Sequence, residues 1–136
     1  MPKWLLLASL ITLVAISAFF YWPENAVANS NNKVAPSSFL LEKVKSQEWT
    51  LIDVRSPEEY AQGHIPGAIN MPHDDIERYI GQLGEAKDKP LIIYCRSGRR
   101  ATIAMKKLEQ QEFMNVSHLE GDIMGWRESG LPIDKM

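Results

Sequence analysis

The sequence predicts an α/β domain built on a mostly parallel sheet with helices on both faces. Three observations carry the prediction. From residue 37 onward, short apolar runs rich in strand formers alternate with segments of helical period, the pattern of strand–helix–strand units. The segment PLIIYC, residues 90–95, is a run of apolar β-formers with no alternating polar face, as expected of a strand covered on both sides. Helix-start signals also follow strand ends at once, as at Ser56-Pro57-Glu58-Glu59.

In chain order, SSFLLEKVKSQ (37–47) reads as a helix and WTLIDV (49–54) as a strand. SPEEYAQ (56–62) reads as a short helix: Ser56 and Glu59 have capping-box spacing, and Pro57 takes the first helical position, where its missing N–H is harmless. GAINM (67–71) is a short strand, DDIERYIGQL (74–83) a helix, and PLIIYC a strand. RRATIAMKKLEQQ (99–111) follows as a helix, NVSHL (115–119) as a strand and IMGWRES (123–129) as a last helix. No internal repeat is visible.

The amino terminus is different. Trp4 to Trp22 carries no charge and matches the ~20 residues of a bilayer span, with Trp4, Tyr21 and Trp22 placed as interfacial aromatics. Ala26-Val27-Ala28 has the small-x-small pattern of a signal-peptidase site. Residues 1–28 therefore read as a signal peptide or transmembrane anchor, 29–36 as a linker and 37–136 as the folded domain. Lys3 and the amino terminus are the only positive flank. The positive-inside rule keeps them cytoplasmic and exports the rest, to the periplasm in a bacterium, either anchored by residues 4–22 or released near Ala28.

A net charge of −2 and a pI near 5.9 argue against a nucleic-acid partner, since phosphate binding calls for a basic surface. The single cysteine, Cys95, excludes an internal disulfide, a Cys-x-x-Cys pair and a multi-cysteine zinc site. It is either a small buried hydrophobe or a working thiol. Its surroundings favour the thiol. Cys95 ends a strand, where ligands of open parallel sheets bind, and Arg96-Ser97-Gly98-Arg99-Arg100 leads into a helix. Inward N–H groups, the helix N-terminus and the arginines together favour the thiolate form. Cations at a helix N-terminus run against its dipole, which points to an anion that balances them.

LIDVRSPEEYAQGHIPGAINMP, IIYCRSGRRA and HLEGDIMGWRESGLPI resemble, in order and spacing, the motif blocks of the rhodanese-like sulfurtransferases in their single-domain form. The resemblance covers nearly all of residues 37–136. It implies a five-stranded parallel sheet with flanking helices and a catalytic Cys95 that carries a persulfide, cradled by the loop Arg96 to Arg100. Gly121-Asp122-Ile123-Met124-Gly125-Trp126 departs from the family's frequent glycine pair and alanine before the late tryptophan.

The chemistry implied is transfer of sulfane sulfur from a small anionic donor such as thiosulfate to cyanide or a thiol. Two other readings use the same thiol: a non-catalytic sulfur carrier or docking module, and a phosphatase or arsenate reductase. The last needs Cys-x5-Arg, whereas Arg100 follows Cys95 after four residues and position 101 is alanine. Asp53 and Arg55 flank Val54 on one strand face, and Asp53 is expected to orient loops by an ion pair or backbone contacts, or to support the cysteine loop from a distance. His64, His73 and His118 lack metal-ligand spacing and read as structural or solvent-facing, and Trp49 and Trp126 as packing residues. No cofactor or metal is implied, and the expected state is a monomer.

Overall fold

Five parallel strands in one sheet organise the described residues. The computed structural model describes residues 32–136; the apolar segment 4–22 and the cleavage motif at Ala28 lie outside the described residues. Within them no helix is long and apolar enough to cross a membrane. The elements are β1 (Lys33–Val34), α1 (Ser38–Lys45), β2 (Thr50–Asp53), α2 (Pro57–Gln62), β3 (Ile69–Asn70) and α3 (Ile76–Tyr79). A 3-10 segment (Ile80–Ala86), β4 (Leu91–Tyr94), α4 (Arg99–Gln110), β5 (Val116–Leu119) and α5 (Asp122–Glu128) complete them. The spatial order is β1-β5-β4-β2-β3, with every pairing parallel.

Strand β4 lies at the centre and all four of its residues are buried, so its apolar run feeds two cores. Leu91, Ile93 and Cys95 join Ile52, Val54, Ala101, Ala104 and Leu108 on the face covered by α3 and α4. Ile92 and Tyr94 join Leu40, Leu51, Ile65, Ile123 and Trp126 on the face covered by α1 and α5. This is the period-two alternation of a strand expressed as two hydrophobic layers. At ~1.5–3 kcal/mol per buried large aliphatic or aromatic side chain, the layers supply the main driving force for folding. Trp126, fully buried, donates its Nε1–H to Pro132 O at 2.8 Å, which ties the chain end to the core as a packing residue would.

The helix starts follow the side-chain logic of the sequence. Ser37 caps α1 by accepting the Leu40 N–H at 3.1 Å, and Ser56 and Glu59 form the reciprocal capping box at the start of α2. Three boundaries differ from expectation. Lys33–Val34, within the expected linker, pairs with His118–Leu119 as the fifth strand. The expected helix 74–83 is one α-helical turn, Ile76–Tyr79, followed by 3-10 geometry through Ala86; Gly81 and Gly84 weaken α-helix propagation there. The strand expected over 67–71 pairs only at Ile69–Asn70, because Gly67 turns the chain with φ +83°.

Candidate active site

Cys95 lies one residue past the carboxyl end of β4, and the chain turns at once into α4. Gly98 makes that turn possible. Its φ of +120° is open to glycine but strained for side chains, and a Cβ would stand 3.3 Å from both Asp122 Oδ2 and His118 Cε1. Folded this way, the Gly98 N–H points back at the cysteine and donates to Cys95 Sγ at 3.0 Å. The thiol is 1% exposed, sits at the floor of the loop and faces the α4 layer.

The backbone of Cys95 is held from the next strand–helix junction. Its N–H donates to Asp122 Oδ1 at 2.9 Å, and its carbonyl accepts the Ile123 N–H at 3.1 Å. Asp122 is buried and has φ +55°, and the same Oδ1 lies 2.9 Å from His118 Nε2. His118 is thus a wall of the loop. The Cys95–Asp122 contact was not readable from spacing, since the two lie 27 positions apart; the one local signal was an aspartate after Gly121, at a residue type that tolerates the left-handed region.

The loop arginines separate into two groups. Arg100 turns to Glu59 and forms a two-pronged ion pair, with Nη1–Oε1 at 2.6 Å and Nη2–Oε2 at 3.0 Å. Part of the expected balancing anion is therefore internal. Arg100 pairing, with the Ser56 backbone bond also contributing, holds the Glu59 carboxyl down at about 2 despite opposing burial, and the same pairing raises Arg100 above the ordinary guanidinium range. Arg96, Ser97 and Arg99 are exposed. Arg96 lines a cavity of about 410 Å³ with Arg55, Glu59 and Arg127, and Arg99 lines another of about 560 Å³ with Lys33, Lys106, Glu109 and His118. Two open recesses lined by charges of both signs thus flank the cysteine loop, and Cys95 lines neither.

Of the ion pair or backbone contacts open to Asp53, the structure shows an ion pair with Arg55. Arg55 Nη2 donates to Asp53 Oδ2 at 2.6 Å and to Gly63 O at 2.7 Å, while its Nε bridges both carboxylate oxygens. Burial opposes the guanidinium charge, but the Asp53 bonds and charge outweigh it and raise Arg55 above its ordinary range. Asn70 Nδ2 completes the clamp by donating to the Asp53 and Arg55 carbonyls at 3.0 Å each. By alternation with Leu51, Asp53 belongs to the α1 and α5 face, opposite the layer that holds Cys95. Burial and the Asp53 charge push the neighbouring Tyr94 hydroxyl strongly upward, so it stays protonated; its oxygen accepts the Ile65 N–H at 3.1 Å. His64 stacks on Tyr60 with ring centroids 3.8 Å apart and pairs its backbone with Asp134, a structural role. His73 lies off the cysteine loop, its carbonyl accepting from Lys107 Nζ at 3.2 Å.

A sulfur at the carboxyl edge of a parallel sheet, met by a backbone N–H and flanked by exposed arginines, is suited to nucleophilic chemistry on a small anion. The comparisons agree with that geometry. A family model described as "Rhodanese-like domain" matches residues 38–129. A sulfurtransferase of Allochromatium vinosum is 36% identical over 102 residues, covering 75% of this chain and 94% of that protein. The putative sulfurtransferase YtwF of Bacillus subtilis is 38% identical over 101 residues, covering 74% and 95%. The crystal structure of a rhodanese-related protein from Thermoplasma volcanium superposes with a TM-score of 0.65 at 30% identity, over 77% of this chain and 99% of that one. Shared fold, matching motif order and relatives of the same span lead to one assignment: the chain belongs to the rhodanese-like family of sulfurtransferase domains.

Proposed function

We propose that the protein transfers sulfane sulfur through a persulfide on Cys95, taking it from thiosulfate or a similar anionic donor and passing it to cyanide or a thiol. The observation that carries this reading is the Gly98 N–H set 3.0 Å from Cys95 Sγ, a preorganised dipole placed to stabilise negative charge that develops on the sulfur. In the first half-reaction the Cys95 thiolate attacks the outer sulfur of thiosulfate, a new S–S bond forms, and the donor's S–S bond breaks with its electron pair leaving on sulfite. In the second, cyanide or a thiolate attacks the outer persulfide sulfur, and the pair returns to Cys95. No net oxidant or reductant is consumed. Arg96 and Arg99, exposed beside the loop, would gather the anionic donor, while Arg100 braces the loop through Glu59. Residues 4–22 would place this chemistry across the cytoplasmic membrane, anchored or released.

One observation favours a second reading, a sulfur carrier serving a protein partner. Cys95 is 1% exposed, so a partner that reshapes the loop would reach the sulfur more readily than a diffusing acceptor. Intact mass of the purified chain before and after thiosulfate, with Cys95→Ser as control, tests the common step. One added sulfur atom, absent in Cys95→Ser and removed by cyanide as thiocyanate with repeated turnover, is the transferase result. Loading without turnover on cyanide or small thiols is the carrier result. No loading from thiosulfate defeats the transferase reading, and failure of a persulfide-bearing protein donor to load Cys95 as well defeats the carrier reading.

A further inference from the structure

The Asp122–His118 contact is a carboxylate placed where the site otherwise gathers positive charge. Asp122 is 2% exposed and adopts φ +55°, a conformation that favours glycine. Its Oδ1 accepts from the Cys95 N–H at 2.9 Å, and Oδ2 lies 3.3 Å from the point a Cβ on Gly98 would occupy. Covalent geometry keeps Sγ within about 4 Å of its own nitrogen, so that oxygen and the sulfur are at most about 7 Å apart. At such range in a buried site, a bare carboxylate opposes a negative sulfur and an incoming anion. Its direct partner on the far side is His118, 2.9 Å away from β5 with its side chain 19% exposed.

We infer that Asp122 and His118 form a positioning pair whose net charge sets how readily the Cys95 sulfur meets an anion. Asp122 fixes the Cys95 backbone in either state. With His118 protonated the pair is neutral and the loop receives anions; when His118 releases its proton, the carboxylate loses its direct charged partner beneath the loop and anions are disfavoured. Several charged groups face this pair. From the cavity that His118 lines come Lys33 of β1 and Arg99, Lys106 and Glu109 of α4. Glu59-bound Arg100 lies on the loop itself. The four cations keep their charge near neutral pH, so His118 is the facing group whose protonation the test varies. The inference needs Cys95 as a reactive thiol but not sulfur transfer.

The test compares second-order alkylation of Cys95 in the full-length chain by iodoacetate, an anion, and iodoacetamide, which is neutral, from about pH 6 to about pH 8. The ratio of the two rates cancels the ionisation of the thiol and reads the local charge. In the wild type this ratio should fall as pH rises. Asp122→Asn keeps an acceptor for the Cys95 N–H, tolerates positive φ, and removes one negative charge from the pair, so it should raise the ratio about threefold to tenfold at the alkaline end. His118→Gln keeps a donor toward Asp122 and should flatten the ratio at its low value. If Asp122→Asn does not fold, His118→Gln alone decides. A wild-type ratio that does not fall with pH, or a fall that survives His118→Gln unchanged, overturns the inference. Because neither reagent involves persulfide, failure here is separate from failure of the sulfur-loading experiment.

Discussion

Asp53→Asn is a direct probe of how the site end of the sheet is held. The substitution leaves the Asn70 and backbone contacts in place but removes the charge that Arg55 faces through three side-chain hydrogen bonds. Arg55 is 4% exposed and Asp53 wholly buried, so water cannot replace the lost partner. Removing one member of a buried pair costs about 3–5 kcal/mol. Gly63 O still accepts from Arg55 Nη2, which puts the expected loss near the lower end, about 3 kcal/mol. For a folded unit of roughly 100 residues that corresponds to a fall in Tm of about 12 °C or more. Urea unfolding followed by tryptophan fluorescence measures it, with Asp53→Asn/Arg55→Met alongside. The double variant should recover about 1–2 kcal/mol, since it no longer buries an unpaired cation. A loss below about 1 kcal/mol, or a double variant equal to the sum of the single ones, would refute the idea that this pair is a coupled buried anchor.

Gly98→Ala should cost about 1–3 kcal/mol from backbone strain and reduce sulfur loading more than tenfold by displacing the N–H that meets Cys95 Sγ, on the order expected for misplaced reacting groups; loading kinetics by intact mass check it, and near-wild-type loading contradicts the loop geometry. Glu59→Gln removes the Arg100 partner. Because the folded-state carboxyl is depressed from 4.5 to about 2, its stabilisation is present above pH 4.5 and is lost as pH falls toward about 2. The pair is partly exposed, so the contribution is about 0.5–1 kcal/mol; acid unfolding curves of wild type and variant should converge near pH 2, and curves that stay separated there argue against the pairing.

What the sequence disclosed was local. The strand leading to Cys95, the Ser56–Glu59 cap and the turn at Gly98 depend on neighbours within a few positions, and each formed as its residue types dictate. The contacts that escaped the reading join distant segments. Glu59 meets Arg100 across 41 positions, and Asp122 meets Cys95 across 27. A glutamate already employed in a capping box gives no sign of a second partner. Likewise His118, polar in a short strand, gave no hint that the next helix would turn an aspartate toward it. Lys33–Val34 was hidden for another reason: two residues carry no period, and their strand exists only because β5 offers an edge.

The brevity of β1 and β3 has a consequence for solubility. The sheet interior is the kind of apolar, β-branched backbone that recruits further strands, with Leu91-Ile92-Ile93-Tyr94 wholly buried at its centre. Among the described residues, however, the ladder ends at both flanks in a strand of only two residues, Lys33–Val34 on one side and Ile69–Asn70 on the other. A neighbouring chain arriving at either flank finds too little exposed ladder to extend, and one flank carries a lysine. The fold thereby keeps its aggregation-prone centre two short strands away from any template.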